Sequence, residues 1–146
     1  MTVERRPAPQ RSIFDRPYWE YASRGELRLQ RCAACGEFRY PPAPVCPECL
    51  ADEHDWEPLS GRGSLLAWTV FHRRYFPEIP VPYVVAAVLT PEGPLLVGNL
   101  VGVDGRGLTH GMPLRAVHQD VTTPDGALRI CQWTPEPHLS NDEERT

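Results

Sequence analysis

Residues 31–50, Arg31-Cys32-Ala33-Ala34-Cys35-Gly36-Glu37-Phe38-Arg39-Tyr40-Pro41-Pro42-Ala43-Pro44-Val45-Cys46-Pro47-Glu48-Cys49-Leu50, decide how this chain is read. Cys32, Cys35, Cys46 and Cys49 stand in them as C-x2-C-x10-C-x2-C. Two short loops of this form can present four thiolates at the corners of a tetrahedron, with metal–sulfur bonds of about 2.3 Å, a set that suits zinc better than any harder cation. Gly36 follows the first pair where the chain must fold back, and Pro47 stiffens the second loop. The spacer is shorter than that of most zinc ribbons and points to a tight ribbon of the rubredoxin type. A disulfide or redox use of the same cysteines is the competing reading. Four sulfur ligands close the coordination sphere, so one zinc per chain is expected here in a structural role.

The rest of the composition sets bounds. With 146 residues, 41% hydrophobic and 23% charged, the chain can bury one modest core beside a metal-stapled appendage. The net charge of −4 argues against a protein whose main work is gripping phosphate backbones. All 15 basic residues are arginine, so no lysine is present for a Schiff base, a Walker loop or a catalytic amine. No apolar run approaches a membrane span and the arginine- and proline-rich start does not resemble a signal peptide. The expected compartment is the cytoplasm, where thiolates and the extra Cys131 stay reduced.

The patterning predicts a mainly β chain: an N-terminal helix, a rubredoxin-like ribbon, then a five-stranded OB barrel. Residues 1–12, broken by prolines, are expected as a flexible arm. Residues 13–30 hold a helix capped by Asp15, started at Pro17 and ended at Gly25, and then a lead-in strand. Residues 31–59 are the zinc ribbon. Residues 60–135 are the barrel, with strands expected at Ser64 to His72, Tyr83 to Thr90, Leu95 to Leu100, Leu114 to Val121 and Leu128 to Thr134. The first reads as buried on both faces. Residues 136–146 are expected as a flexible acidic tail. Phe14, Tyr18, Trp19 and Tyr21 crowd the short helix, and the choice is between packing on the barrel and docking on another protein.

Taken in order, Pro17-Tyr18-Trp19-Glu20, Cys32-Ala33-Ala34-Cys35-Gly36, Tyr40-Pro41-Pro42, Cys46-Pro47-Glu48-Cys49, Gly61-Arg62-Gly63-Ser64-Leu65-Leu66-Ala67-Trp68-Thr69, Pro82-Tyr83-Val84-Val85-Ala86, Gly98-Asn99-Leu100-Val101-Gly102 and Gly111-Met112-Pro113-Leu114-Arg115 resemble the small rubredoxin-like zinc-ribbon and OB-fold proteins that accompany thiolases. The resemblance covers about residues 14–135. It implies an accessory subunit, without a settled reaction of its own, in a hetero-oligomer with a thiolase-like or aldolase-like enzyme of acyl-CoA and lipid metabolism, and in some relatives with a hydratase. Such subunits help to hold the CoA thioester or pass it between active sites. One departure is Ala43, where the family commonly has arginine.

With that resemblance in hand, the loop Phe71-His72-Arg73-Arg74-Tyr75-Phe76 becomes the candidate ligand rim, because the corresponding OB-fold loop borders the ligand face. Arg73 and Arg74 can make bidentate contacts to CoA phosphates, and Tyr75, Phe76 or Tyr83 can stack on adenine or line the pantetheine path. The bland alternative is a solvated basic loop. No nucleophile elbow, HExxH pair or glycine-rich phosphate loop is present, and Cys131 alternates with Arg129 and Trp133 as an ordinary strand cysteine. Two other functions compete: a single-stranded nucleic-acid module, disfavoured by the acidic balance, and an independent thioesterase or acyltransferase using His72 or Cys131, which lacks a paired base and orienting acid.

Overall fold

The computed structural model describes residues 3–137; the expected tail lies, from residue 138 on, outside the described residues. The elements in chain order are β1 (Glu4–Arg5), α1 (Arg16–Ser23), β2 (Arg28–Cys32), β3 (Phe38–Arg39), β4 (His54–Pro58), β5 (Arg62–Phe71), β6 (Tyr83–Leu89), β7 (Leu95–Leu100), β8 (Pro113–Thr123) and β9 (Gly126–Pro135). They form two sheets. The ribbon is a three-stranded antiparallel sheet in the order β3-β2-β4. The barrel runs β8-β5-β6-β7-β9 and closes by β8–β9 pairing, so the five expected strands make a closed OB-type barrel.

Helix α1 starts at its proline and ends at its glycine as the sequence predicts, but without the expected aspartate cap. Pro17 occupies the first turn, and Gly25, at φ +77°, takes the left-handed conformation that lets the Gly25 and Glu26 amides donate to Ala22 and Tyr21. Asp15 sits at the N-cap position, but its carboxylate makes no cap hydrogen bond and instead accepts from the Ser12 amide at 2.7 Å. The crowded aromatic residues largely pack inward. Tyr18 lies against the core, Tyr21 is covered by the guanidinium groups of Arg28 and Arg24 at 4.7 and 5.0 Å, and Trp19 lies beneath Arg11. Of the four, Phe14 alone is exposed.

The ribbon and the barrel share one core. Leu27, Leu29 and Leu59 join Leu65, Val84, Ala86, Val88, Leu96, Leu100, Leu114 and Trp133 in a single buried cluster. Trp133 enters the barrel because two neighbours have no side chain. A Cβ at Gly98 would lie 3.4 Å from its Cδ1, and one at Gly63 would lie 3.3 Å from its Cζ3 while colliding with Val88. Burying an indole of about 200 Å² contributes on the order of 5 kcal/mol before entropy is counted.

Three sequence expectations change. Glu4 and Arg5, inside the expected flexible arm, pair in parallel with Val121 and Thr122 of β8, and Arg6 bonds Asn99 at 3.0 Å and Glu4 at 2.7 Å. The ribbon has a third strand, β4, which pairs with β2 from Arg28↔Pro58 to Cys32↔His54. Strand β5 is not buried on both faces: its ladder with β6 shifts register between Leu65 and Ala67, Leu65 is buried, and Leu66, Ala67, Trp68 and Thr69 are exposed. A bulge of this kind turns one extra residue out of the ladder and breaks the simple alternation.

Candidate metal centre and barrel rim

The four ribbon cysteines converge. Their sulfur atoms all lie within 4.8 Å of one another, with Cys32–Cys49 at 3.5 Å and Cys35–Cys46 at 3.6 Å. A tetrahedron with Zn–S bonds of about 2.3 Å has edges of about 3.8 Å, so the spacing suits one tetrathiolate zinc. Both knuckles close in the same way. The Gly36 amide donates to the Cys32 carbonyl at 3.0 Å, and the Leu50 amide donates to the Cys46 carbonyl at 2.9 Å. Gly36 and Leu50 both have positive φ, +79° and +64°, so the second loop forces a leucine into the conformation the first gives to glycine.

The sulfurs sit in unequal fields. Hydrogen bonding from the Cys35 and Ala34 backbones, opposed by desolvation, holds the Cys32 thiol down at about 6, and the Cys49 and Glu48 backbones lower Cys46. Against the hydrogen bond from the Glu37 backbone, desolvation and the sulfurs of Cys46, Cys49 and Cys32 push Cys35 up to about 12. Amide groups pointed at sulfur favour the thiolate form that binds metal.

Each knuckle is tied to an arginine from the ribbon strands. Arg31 Nε donates to the Gly36 carbonyl at 2.9 Å while its Nη1 pairs with Glu57 at 3.0 Å. Arg39 is buried and reaches the second knuckle, with Nη1 donating to the Ala43 carbonyl and Nη2 to the Ala51 carbonyl, each at 3.2 Å. Gln30, also buried, receives the Ala43 amide at 2.8 Å and returns a bond to the Ala43 carbonyl at 3.2 Å. Sequence patterning missed this network, because polar residues in short strands ordinarily read as outward-facing.

The four proposed ligand residues lie at one end of the β5–β6 pair, Arg73, Arg74 and Tyr75 in the connecting loop and Tyr83 at the start of β6. Arg73, Arg74 and Tyr75 are exposed, Tyr75 by 60%, and Arg73 lies over the Tyr75 ring at 5.5 Å. Tyr83 is half-buried and stacks on Phe71. A groove of about 870 Å³ lies elsewhere, between Arg11, the α1 residues Arg16 and Trp19, and Asp120, Leu128 and Arg129 of the β8–β9 hairpin. On the outward side Leu89 of β6 pairs with Leu95 of β7, and Ala67 of β5 and Val97 of β7 flank half-buried Ala87; Ala67, Leu89, Leu95 and Val97 are exposed, Val97 by 59%. They form an apolar sheet face. Cys131 is half-buried, and burial pushes its thiol up to about 12, favouring the neutral form over the nucleophilic thiolate. Among the described residues, no helix is long and apolar enough to cross a membrane.

Comparison with known proteins agrees with this architecture. Residues 19–55 match the ChsH2 rubredoxin-like zinc ribbon domain and residues 56–119 match the ChsH2 C-terminal OB-fold domain. A 3-oxo-4,17-pregnadiene-20-carboxyl-CoA hydratase alpha subunit of Mycobacterium tuberculosis is 34% identical over 119 residues, 82% of this chain and 37% of that subunit. The chain thus spans little more than a third of the curated hydratase subunits it matches. The benzoylsuccinyl-CoA thiolase subunit BbsA of Thauera aromatica is 30% identical over 81 residues, 54% of each chain. A chain of the solved Ltp2-ChsH2(DUF35) aldolase superposes with a TM-score of 0.79 at 34% identity, over 88% of this chain and 98% of that one. Ribbon, barrel and their order along the sequence place the chain in the family of ChsH2-type (DUF35) zinc-ribbon and OB-fold proteins.

Proposed function

We propose that this chain is a non-catalytic accessory subunit that docks on a thiolase-type or aldolase-type enzyme and helps it bind or pass on an acyl-CoA. Relatives carry the names of a carboxyl-CoA hydratase alpha subunit, a benzoylsuccinyl-CoA thiolase subunit and an Ltp2-ChsH2 aldolase. The observation that carries the reading is the exposed apolar outer face formed by Ala67, Leu89, Leu95 and Val97 on three neighbouring strands. Apolar side chains contiguous over neighbouring strands are the mark of a surface that another protein covers.

In this reading Cys32, Cys35, Cys46 and Cys49 hold one zinc whose closed coordination sphere stabilises the ribbon and leaves no position for substrate. Arg73 and Arg74, beside Tyr75, contribute guanidinium groups toward the CoA phosphates when the enzyme lies against the rim. Tyr83 supports that rim through its stack on Phe71. Affinity purification of the tagged chain from its native cell tests the proposal. A thiolase-like or aldolase-like enzyme should co-purify in defined stoichiometry; recovery of nucleic acid, or of no acyl-CoA enzyme, would overturn it.

A further inference from the structure

We propose that Arg39 is the internal counter-charge of the metal centre, an inference that rests on the zinc reading above. Arg39 is 1% exposed, and among the described residues no carboxylate pairs with it. A guanidinium stays protonated at any physiological pH, and a buried charge is tolerated only where an opposite charge or a full set of acceptors compensates it. Carbonyl groups supply part of that compensation, at Ala43 and Ala51. His54 adds little: its Nδ1 meets the Asp52 carbonyl at 3.0 Å and its Nε2 meets the Gln30 amide nitrogen at 3.2 Å. The tautomer that serves both contacts donates from Nδ1 and accepts at Nε2, which leaves no lone pair for Arg39 Nη1 at 3.4 Å.

The missing anion is close at hand. Four thiolates on a divalent zinc leave an excess of two negative charges. The carbonyls that Arg39 grips bracket the Cys46–Cys49 loop, and the Ala51 oxygen also accepts the Cys46 amide at 2.8 Å. One oxygen atom therefore separates the guanidinium from the backbone of a metal ligand. Arg31, at the other knuckle, does not compete for this role, since it is exposed and its charge is engaged by Glu57.

The test is a double-mutant cycle on the full chain, read as zinc affinity by competition with a chromogenic chelator. Cys49, an exposed ligand, is replaced in one arm by histidine, which keeps four ligands but removes one negative charge from the centre. Arg39→Met should weaken zinc at least tenfold in the four-cysteine chain and less than threefold beside Cys49→His, while Arg39→Lys, which keeps the charge, should stay within threefold of wild type. Arg39→Met that folds only beside Cys49→His would support the same conclusion. Equal losses in both backgrounds, Arg39→Lys as damaging as Arg39→Met, or failure of Arg39→Met to fold in either background would overturn it and leave Arg39 as packing. Wild-type chain that holds no zinc would instead refute the zinc reading itself.

Discussion

Phe71 and Tyr83 stack face to face, with ring centroids 5.0 Å apart and planes within 5°, at the paired positions where β5 leads through its loop to β6. One face of Tyr83 is therefore already covered. The free aromatic surface at the rim belongs to Tyr75 and Phe76, and Arg73 and Arg74 stand next to it, exposed.

Replacing Arg73 and Arg74 together by alanine should leave the melting temperature and zinc content near wild type, since surface changes usually move stability by only about 0.5 kcal/mol. The apparent affinity of the assembled enzyme for its CoA thioester should fall by about tenfold, or about 1.4 kcal/mol, from loss of a charge-assisted contact. Calorimetry with a non-hydrolysable CoA analogue checks this; unchanged binding would return the arginines to the solvent.

Val97→Glu places a charge in the middle of the exposed apolar face. The isolated chain should remain folded, because that side chain contributes little to the core, yet it should no longer co-elute with its partner enzyme on gel filtration. A charged variant that still assembles normally would exclude this face as the contact.

Cys35→Ser removes one corner of the sulfur tetrahedron. Metal analysis should find less than one zinc per chain, and circular dichroism should show a destabilised or aggregated product, because binding energy at such a site is folding energy. Full solubility with stoichiometric zinc would contradict the four-cysteine assignment.

Leu50→Asn should stabilise the chain by about 0.5–1 kcal/mol, since asparagine tolerates the left-handed conformation in which leucine is strained. Leu50 is exposed, so little packing is lost. Chemical denaturation of the zinc-loaded protein measures the change, and a loss of stability would show that relief of the left-handed strain is not the dominant effect at this position.

His118 is held below its ordinary range by desolvation and by the Arg129 guanidinium. Its pairing partner across the β8–β9 ladder is Cys131. The native state resists protonation while the unfolded chain accepts it near pH 6.5, so this contribution is present above about pH 6.5 and is lost as pH falls toward the folded value. His118→Gln should flatten the fall of melting temperature as pH drops below about 6.5. An equally steep acid limb in the variant would assign it to other groups.

Much of this molecule can be read from residue order, and the exceptions have physical causes. Leu95–Leu100 appears as expected, and the cysteine spacing leads to the sulfur cluster, because both are local patterns. Glu4–Arg5 has no periodicity to reveal its pairing with β8, since two residues are too few to define a face. The β5 bulge is equally silent: after the register shift the simple alternation no longer tells inside from outside. Gln30 and Arg39 are polar residues whose burial depends on carbonyls of a loop that closes only when the cysteines meet. The rim arginines were visible as a basic cluster, whereas the apolar face arises from three strands that become neighbours only in the folded sheet.

The single core that runs from Leu29 and Leu59 through to Trp133 has a consequence for how this module travels between proteins. A boundary drawn between ribbon and barrel would cut through packed leucine side chains, so neither half can be exchanged without exposing apolar surface on the other. Recombination that preserves folding must move the two as one cassette. That constraint fits the adjoining matches to the two ChsH2 domains and the occurrence of the same stretch as roughly a third of much longer hydratase subunits.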